Sequence, residues 1–377
     1  MSAPVLFSEI QTDNGFKFGV ATLSQPKILN GLSLEMSVLL TEQLHRWETD
    51  PDIVLVIMQG AGEKAFCAGG DLHGLYESML AHKGQGAWAN TYSREFFEVE
   101  YRLDYQIHTY SKPLICWGHG IVMGGGIGLM IGASHRVVSE TSRLAMPEVS
   151  IGLFPDVGGS WVLNHLPGNT GVFLASTGAI LNAADALFTG LANYQVNYEN
   201  WDTFIADLQR SAWQAPQSRT FNDDLIHAAL LSHKGNLPEA GPLQQNYAFI
   251  NEICAPSDIK TIFNNIAALE TSDNSWLARA ASTMLKGAPL SVALGITLQR
   301  KTLHLSLADV FRLEYIVALH CCADGQLQEG FRALLVDKDR NPKWQPATIN
   351  EVSDDLVASY LVAPWPESDS NPLSDLA

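Results

Sequence analysis

Basic residues are scarce in this sequence. Twenty-three Lys and Arg stand against 40 Asp and Glu, a formal charge of -17 over 377 residues. A chain this acidic has no general attraction to nucleic acid or to an anionic membrane surface, although a local basic site can still take an anionic ligand. Long apolar runs are missing as well. None reaches the ~20 residues that a membrane-spanning helix needs. The opening segment, MSAPVLFSEIQTDNG, has no basic n-region and no Arg-rich amphipathic pattern, so neither a signal nor a transit peptide is expected. Cysteines are few: Cys67, Cys116, Cys254, Cys321 and Cys322, an odd number with no CxxC pair. This argues against a disulfide framework, and the thiols are expected to be reduced core residues of a cytoplasmic protein. No GKS or GKT occurs, which excludes a P-loop. The near misses to GxSxG, at Ser134 and Ser150, lack one flanking glycine each, which argues against an α/β-hydrolase. No His, Cys or Asp cluster has metal-ligand spacing, so no metal is expected.

What is present is an apolar chain long enough for a large core or two packed units, with 46% hydrophobic and 17% charged residues, as in a soluble enzyme. Over roughly the first 200 residues, short apolar strands alternate with helices. Strands are expected at Gly19–Leu23, Val54–Gln59, Leu114–Trp117 and Arg136–Ser139. A helix over about 33–48 repeats Met36, Leu39, Leu40, Leu44 and Trp47 at helical spacing, with Ser33 able to cap it. A second helix over about 87–109 ends before Lys112-Pro113. This order predicts α/β architecture with parallel pairing. After Tyr194 helical patterns dominate, notably at Trp276–Leu285, Pro289–Thr302 and Asp309–Ala323. Segments 214–222 and 254–258 read as connections, and the Pro-, Ser- and Asp-rich end from Trp365 is expected to fray. The expected division is a core over 1–205 and a helical region over 206–377 packed on it.

Two glycine clusters are the most informative segments: KAFCAGGDL (Lys64–Leu72) and GHGIVMGGGIGL (Gly118–Leu129). Each follows a strand and sets glycines at a helix start, where freed N–H groups can hold an anion. Side by side, two such loops can aim two N–H groups at one oxygen and form an oxyanion hole. The plainer alternative is that the glycines only permit tight turns. Gly118, Gly120 and Gly124, with Glu140 beyond, loosely mimic a dinucleotide fingerprint, but the spacing is one residue too long and Gly125, Gly126 and Gly128 are left without a role.

Taken together, these segments resemble the enoyl-CoA hydratase/isomerase (crotonase) superfamily. KAFCAGGDL and GHGIVMGGGIGL are similar to its two oxyanion segments, and QPKILNGLSLEM (Gln25–Met36) to its early CoA-binding segment. MPEVSIGLFPDVGGSWVL (Met146–Leu163) and EGFRALLVDKDRNPKWQP (Glu329–Pro346) resemble the 3-hydroxyisobutyryl-CoA hydrolase branch. The resemblance implies a spiral of ββα turns with a helical C-terminal region and an acyl-CoA substrate. CoA is then part of the substrate, with no separate cofactor. It implies oxyanion donors at the Gly70 and Gly125 amides, and CoA contacts at Lys27, Leu29, Ala68, Gly70, Asp71 and Leu72. It also implies a homo-oligomer, a trimer or a dimer of trimers, while the acidic charge balance leaves no nucleic-acid or membrane partner expected.

Within the superfamily the carboxylates decide the chemistry. Hydratases carry two Glu residues; here the first of those positions is Gly128 and the second is Glu148. Loss of one carboxylate removes the pair that activates water for addition to a double bond. Asp156 follows Glu148 by eight residues, and the resemblance makes these two the catalytic pair of a thioester hydrolase. Glu148 would be a nucleophile or a general base; Asp156 would position water or the substrate hydroxyl. Glu100 matches a substrate-contacting acid, against the alternative of a solvated helix face shared with Glu95 and Glu98. His119 and Cys67 adjoin the glycine loops but have no activating partner in sequence and read as packed residues. The competing readings are another reaction of the superfamily, isomerisation or hydration of an enoyl-CoA, of which the isomerase needs only a single well-placed acid, and a non-enzymatic scaffold.

Overall fold

A computed structural model describes residues 3–70, 73–236 and 239–377. The chain forms two compact units, each assembled from three segments. The first takes Met1–Gly70, Leu103–Leu144 and Leu181–Gln244; the second takes Asp71–Arg102, Ala145–Ile180 and Gln245–Ala377. Each therefore draws on chain from both sides of residue 205.

The strands are β1 (Val5–Gln11), β2 (Lys17–Leu23), β3 (Ile53–Gly60), β4 (Ala65–Cys67), β5 (Leu114–Gly118), β6 (Ile121–Met123), β7 (His135–Val138), β8 (Arg143–Ala145) and β9 (Tyr194–Gln195), all in the first unit except the last residue of β8. A six-stranded sheet has the order β1-β2-β3-β5-β7-β9, and a three-stranded sheet the order β4-β6-β8. The pairs β3–β4, β5–β6 and β7–β8 thus advance together, each adding one strand to both sheets. This is the ββα spiral of a mixed α/β fold, and from β2 to β9 the large sheet is parallel. β3, IVLVIMQG, is buried along its first six residues, as a parallel interior strand should be. β1 was not expected. It pairs antiparallel with β2 across a turn in which the Thr12 N–H donates to the Phe16 carbonyl at 2.8 Å, and Asn14-Gly15 in that turn is a hairpin signal. Helix α1 (Leu34–Thr49) is capped by Ser33, whose hydroxyl accepts the Met36 N–H, and buries Met36, Leu40, Leu44 and Trp47.

The second unit is largely helical. It contains α2 (His73–Ala81) and α3 (Thr91–His108) as far as Arg102. Helices Ser275–Lys286, Pro289–Thr302 and Leu307–Ala323 stand where periodicity placed them. Two expectations need correction. Segment 214–222 is not wholly a connection, because the helix Arg219–Ser232 of the first unit begins inside it. The end of the chain does not fray. Leu373 is fully buried, Arg102 pairs with Asp375 at 2.8 Å, the Arg312 Nε donates to the Leu373 carbonyl at 3.0 Å, and the Trp88 indole donates to Asp369 at 2.9 Å. Loop-like composition misled because the donors come from segments distant in sequence.

Candidate active site

In the second unit four acids, Glu100, Glu148, Asp156 and Glu314, are buried. Glu148 opens a short 3-10 turn, Glu148–Ile151, after Pro147. That turn is tightly backed by the helix Gln326–Phe331: a Cβ on Gly330 would lie 2.1 Å from the Ile151 carbonyl oxygen, and one on Gly152 would lie 2.6 Å from Gln326. The EGF of the C-terminal signature therefore allows one backbone to rest on another at the end of the turn that Glu148 opens. The rest of that signature braces itself, with Arg332 pairing with Glu329, Asp337 and Asp339.

Glu148 is 4% exposed, and its Oε2 has no hydrogen-bond partner among the described residues. Burial, then the charge of Asp156, hold its carboxyl well above the usual range; Glu100 and Glu314 push the same way. Asp156 accepts the Tyr101 hydroxyl at Oδ2 over 2.8 Å. Burial raises Asp156 to about 7, against the opposing pull of that hydrogen bond. Glu100, on α3, is buried while Glu95 on the same helix is exposed. Burial and then Asp156 raise it well above a normal glutamate. Glu314, in the helix Leu307–Ala323, is fully buried, and burial first, then Asp156, lift it to about 8 although it accepts the Gly158 and Ser160 N–H groups. An ionised acid in such a place is poorly solvated and correspondingly reactive as a base or nucleophile.

Glu100, Glu148 and Asp156 were marked in the sequence; Tyr101 and Glu314 were not. Tyr101 carried a signal, since it adjoins Glu100 on a helix whose Phe96 and Phe97 are also buried. Glu314 carried a weaker one, a lone acid in the apolar stretch LEYIVAL.

The expected oxyanion residues Gly70 and Gly125, and the expected CoA residues Lys27, Leu29 and Ala68, lie in the first unit. Gly70 follows β4 and Gly69, whose φ is 112° and whose carbonyl accepts the Leu32 N–H at 2.8 Å. The Leu29 carbonyl accepts the Ala68 N–H at 3.1 Å, so the early segment and the first glycine loop are laced together. The buried Asn30 side chain adds bonds to the Ala61 and Ala65 carbonyls at 3.0 and 2.9 Å. Lys27 is exposed on the 3-10 turn Pro26–Ile28 just before Leu29. Asp71 and Leu72 lie outside the described residues. Gly125 is the first residue of α4 (Gly125–Ile131), where a helix leaves its N–H groups without intrahelical acceptors. Gly126 explains the cluster sterically: a Cβ there would sit 2.3 Å from the Cys67 carbonyl oxygen. His119 is packed, with Nε2 2.8 Å from the Gly62 carbonyl, and burial lowers its pKa. Cys67 is buried with no disulfide.

The model of the family described as enoyl-CoA hydratase/isomerase matches residues 18–361. The chain belongs to that family. Among curated relatives, the mitochondrial 3-hydroxyisobutyryl-CoA hydrolase of Gallus gallus is 36% identical over 339 residues, covering 90% of this chain and 85% of that one. The Homo sapiens protein of the same name is 35% identical over 343 residues, covering 91% and 86%. Among solved structures, one titled an enoyl-CoA hydratase, from Rhodobacter sphaeroides, matches with a TM-score of 0.81 at 32% identity, covering 95% of this chain and 97% of that one. Another, titled a carnitinyl-CoA dehydratase, from Mycobacterium thermoresistibile, matches with a TM-score of 0.83 at 33% identity, covering 99% and 100%.

Proposed function

We propose that this family member hydrolyses 3-hydroxyisobutyryl-CoA to 3-hydroxyisobutyrate and CoA, a step in valine breakdown. The observation that carries the reading is Glu148: a buried carboxylate, one oxygen of which has no protein partner among the described residues, among three further buried acids. The names of the curated relatives support the choice of substrate. In this reading the Gly70 and Gly125 amides receive the thioester oxygen as charge develops on it; losing one such donor typically costs about 3–4 kcal/mol of barrier stabilisation. Glu148 acts in one of two balanced ways. As a nucleophile it bonds to the carbonyl carbon, the C–S bond breaks with its electron pair on sulfur, and water then opens the mixed anhydride. As a base it takes a proton from the attacking water and returns it to the departing thiolate. Asp156, oriented by Tyr101, meets the substrate hydroxyl or the water, and Glu100 contacts the acyl group. CoA binds along Lys27, Leu29, Ala68, Gly70, Asp71 and Leu72, and nothing beyond the substrate's own CoA is required. A cytoplasmic location and a trimer or dimer of trimers complete the proposal.

A second reading, hydration of an enoyl-CoA or dehydration of a hydroxyacyl-CoA, is favoured by the titles of the two solved structures. Gly128 weighs against it, because it leaves the family's first hydratase Glu position without a carboxylate. The test is one panel of short acyl-CoA thioesters assayed in parallel for free CoA thiol and for enoyl absorbance. Rapid thiol release from 3-hydroxyisobutyryl-CoA is the expected result. Enoyl hydration without thiol release would reverse the assignment.

A further inference from the structure

The turn that carries Asp156 is held in a conformation its own sequence disfavours. Val157 and Gly158 follow Asp156 with φ of 53° and 80°. Glycine enters that region freely, but a β-branched residue does so only when its surroundings over-determine it. Those surroundings include the helix Leu307–Ala323. From it, Glu314 directs both carboxylate oxygens to the turn: Oε2 accepts the Gly158 N–H at 2.7 Å and Oε1 the Ser160 N–H at 2.9 Å. Three residues earlier, Phe311 fills the space over Gly158, 3.2 Å from where a Cβ would stand. The Gly159 N–H returns to the Asp156 carbonyl at 2.6 Å and closes the turn on the residue that bears the acid. Tyr101, the hydrogen-bond donor to Asp156, has its ring 5.6 Å from that of Phe311. Both oxygens of a carboxyl can accept, even when one of them carries a proton, whereas an amide of the same shape would turn an NH2 toward one of the two N–H groups.

We propose that Glu314 is a positioning residue for the reaction, fixing the Asp156–Ser160 turn and through it the Asp156 carboxyl. The inference rests on the reading of Asp156 as a working acid of the hydrolase. Glu314 acts through the turn and does not itself meet the acyl group, so its removal should slow turnover more than it weakens binding.

The test uses the full chain with Glu314→Gln, Glu314→Asp, Asp156→Asn and the Glu314→Gln/Asp156→Asn pair. It follows CoA release from 3-hydroxyisobutyryl-CoA and amide hydrogen exchange over residues 157–162. Glu314→Gln is expected to lower kcat roughly 10- to 100-fold, the scale of a misplaced reacting group, with KM changed less than about two-fold. Glu314→Asp, which keeps both acceptors, should recover part of that loss. The turn amides should exchange faster in Glu314→Gln while those of β3 do not. Adding Glu314→Gln to Asp156→Asn should cost less than about three-fold more, because both act through one carboxyl. A folded Glu314→Gln with near wild-type kcat, unchanged exchange of the turn, or a full additional loss in the Asp156→Asn background would each overturn the proposal. Should Glu314→Gln not fold, Glu314→Asp decides: a fall in kcat with KM held supports the proposal, and an unchanged kcat overturns it. A wild-type chain that releases no CoA would sink the hydrolase reading itself. The exchange measurement involves no reaction and separates that failure from failure of the clamp.

Discussion

Gly126→Ala is the substitution whose consequence follows most directly from packing. The second residue of α4 lies against β4 with no room for a side chain: an added Cβ would stand 2.3 Å from the Cys67 carbonyl oxygen and 3.0 Å from its carbonyl carbon. Those are backbone atoms of a fully buried strand and cannot swing aside. Two effects compete. Alanine favours a helix over glycine by about 1 kcal/mol, whereas overpacking of a well-filled site costs about 1–3 kcal/mol. With the clash falling on backbone, the net should be a loss of about 1–2 kcal/mol, reached only if α4 shifts away from β4. Gly125 would move with it, so the amide proposed as an oxyanion donor is displaced and kcat should fall at least ~10-fold, within the ~10²–10³ attributed to loss of one donor. Gly295→Ala is the control. It also lies inside a helix, but its nearest neighbours would be 3.5 Å away, so the same exchange should be neutral or stabilising by up to about 1 kcal/mol. Urea unfolding and steady-state CoA release on both variants make the comparison. A Gly126→Ala protein as stable and as active as wild type would refute the claim that this close approach sets the loop.

Three further outcomes are expected. The buried acids should make stability fall as pH rises. Between the ordinary carboxyl range and about 7 for Asp156 or about 8 for Glu314, the unfolded chain gives up protons that the folded chain retains, so the unfolding free energy declines across that window. Unfolding midpoints at pH 5 and pH 8 should show this decline, shallower in Glu314→Gln; equal slopes would count against it. Tyr101→Phe removes the hydrogen bond that lowers the Asp156 pKa, so the acidic limb of kcat/KM should move to higher pH and the plateau fall ~10-fold or more, a bond to a charged group being worth about 1.5–3 kcal/mol. Leu373→Ala should cost about 2–5 kcal/mol by chemical unfolding, as expected for a core leucine and not for a fraying tail.

Much of this was legible in the sequence, for physical reasons. Strand β3 and helix α1 announce themselves because a buried parallel strand is continuously apolar and a half-buried helix repeats near 3.6 residues. The glycine clusters were legible because close backbone approach tolerates little else, as Gly126 illustrates. What escaped was determined at long range. Glu314 acquires its role from N–H groups more than 150 residues earlier in the chain. The docking of Leu373 depends on Arg102 and Arg312, which local composition cannot reveal. β1 was missed although Asn14-Gly15 marked its hairpin, because its own alternation is weak, with only Val5 buried.

The central claim is that Glu148 performs the hydrolysis. Its most direct test is CoA release from 3-hydroxyisobutyryl-CoA by Glu148→Gln, with unfolding and CoA binding followed on the same preparation. The side chain keeps its shape and loses only its charge, and its buried Oε2 has no hydrogen bond to a described residue to forfeit. Stability should therefore hold or rise at alkaline pH, since a buried acid no longer has to ionise. CoA binding should be unchanged, and turnover should fall by about 10²–10⁴-fold, the range of a lost general base, or further if the carboxylate is the nucleophile. A folded Glu148→Gln protein that releases CoA at close to the wild-type rate would contradict the account.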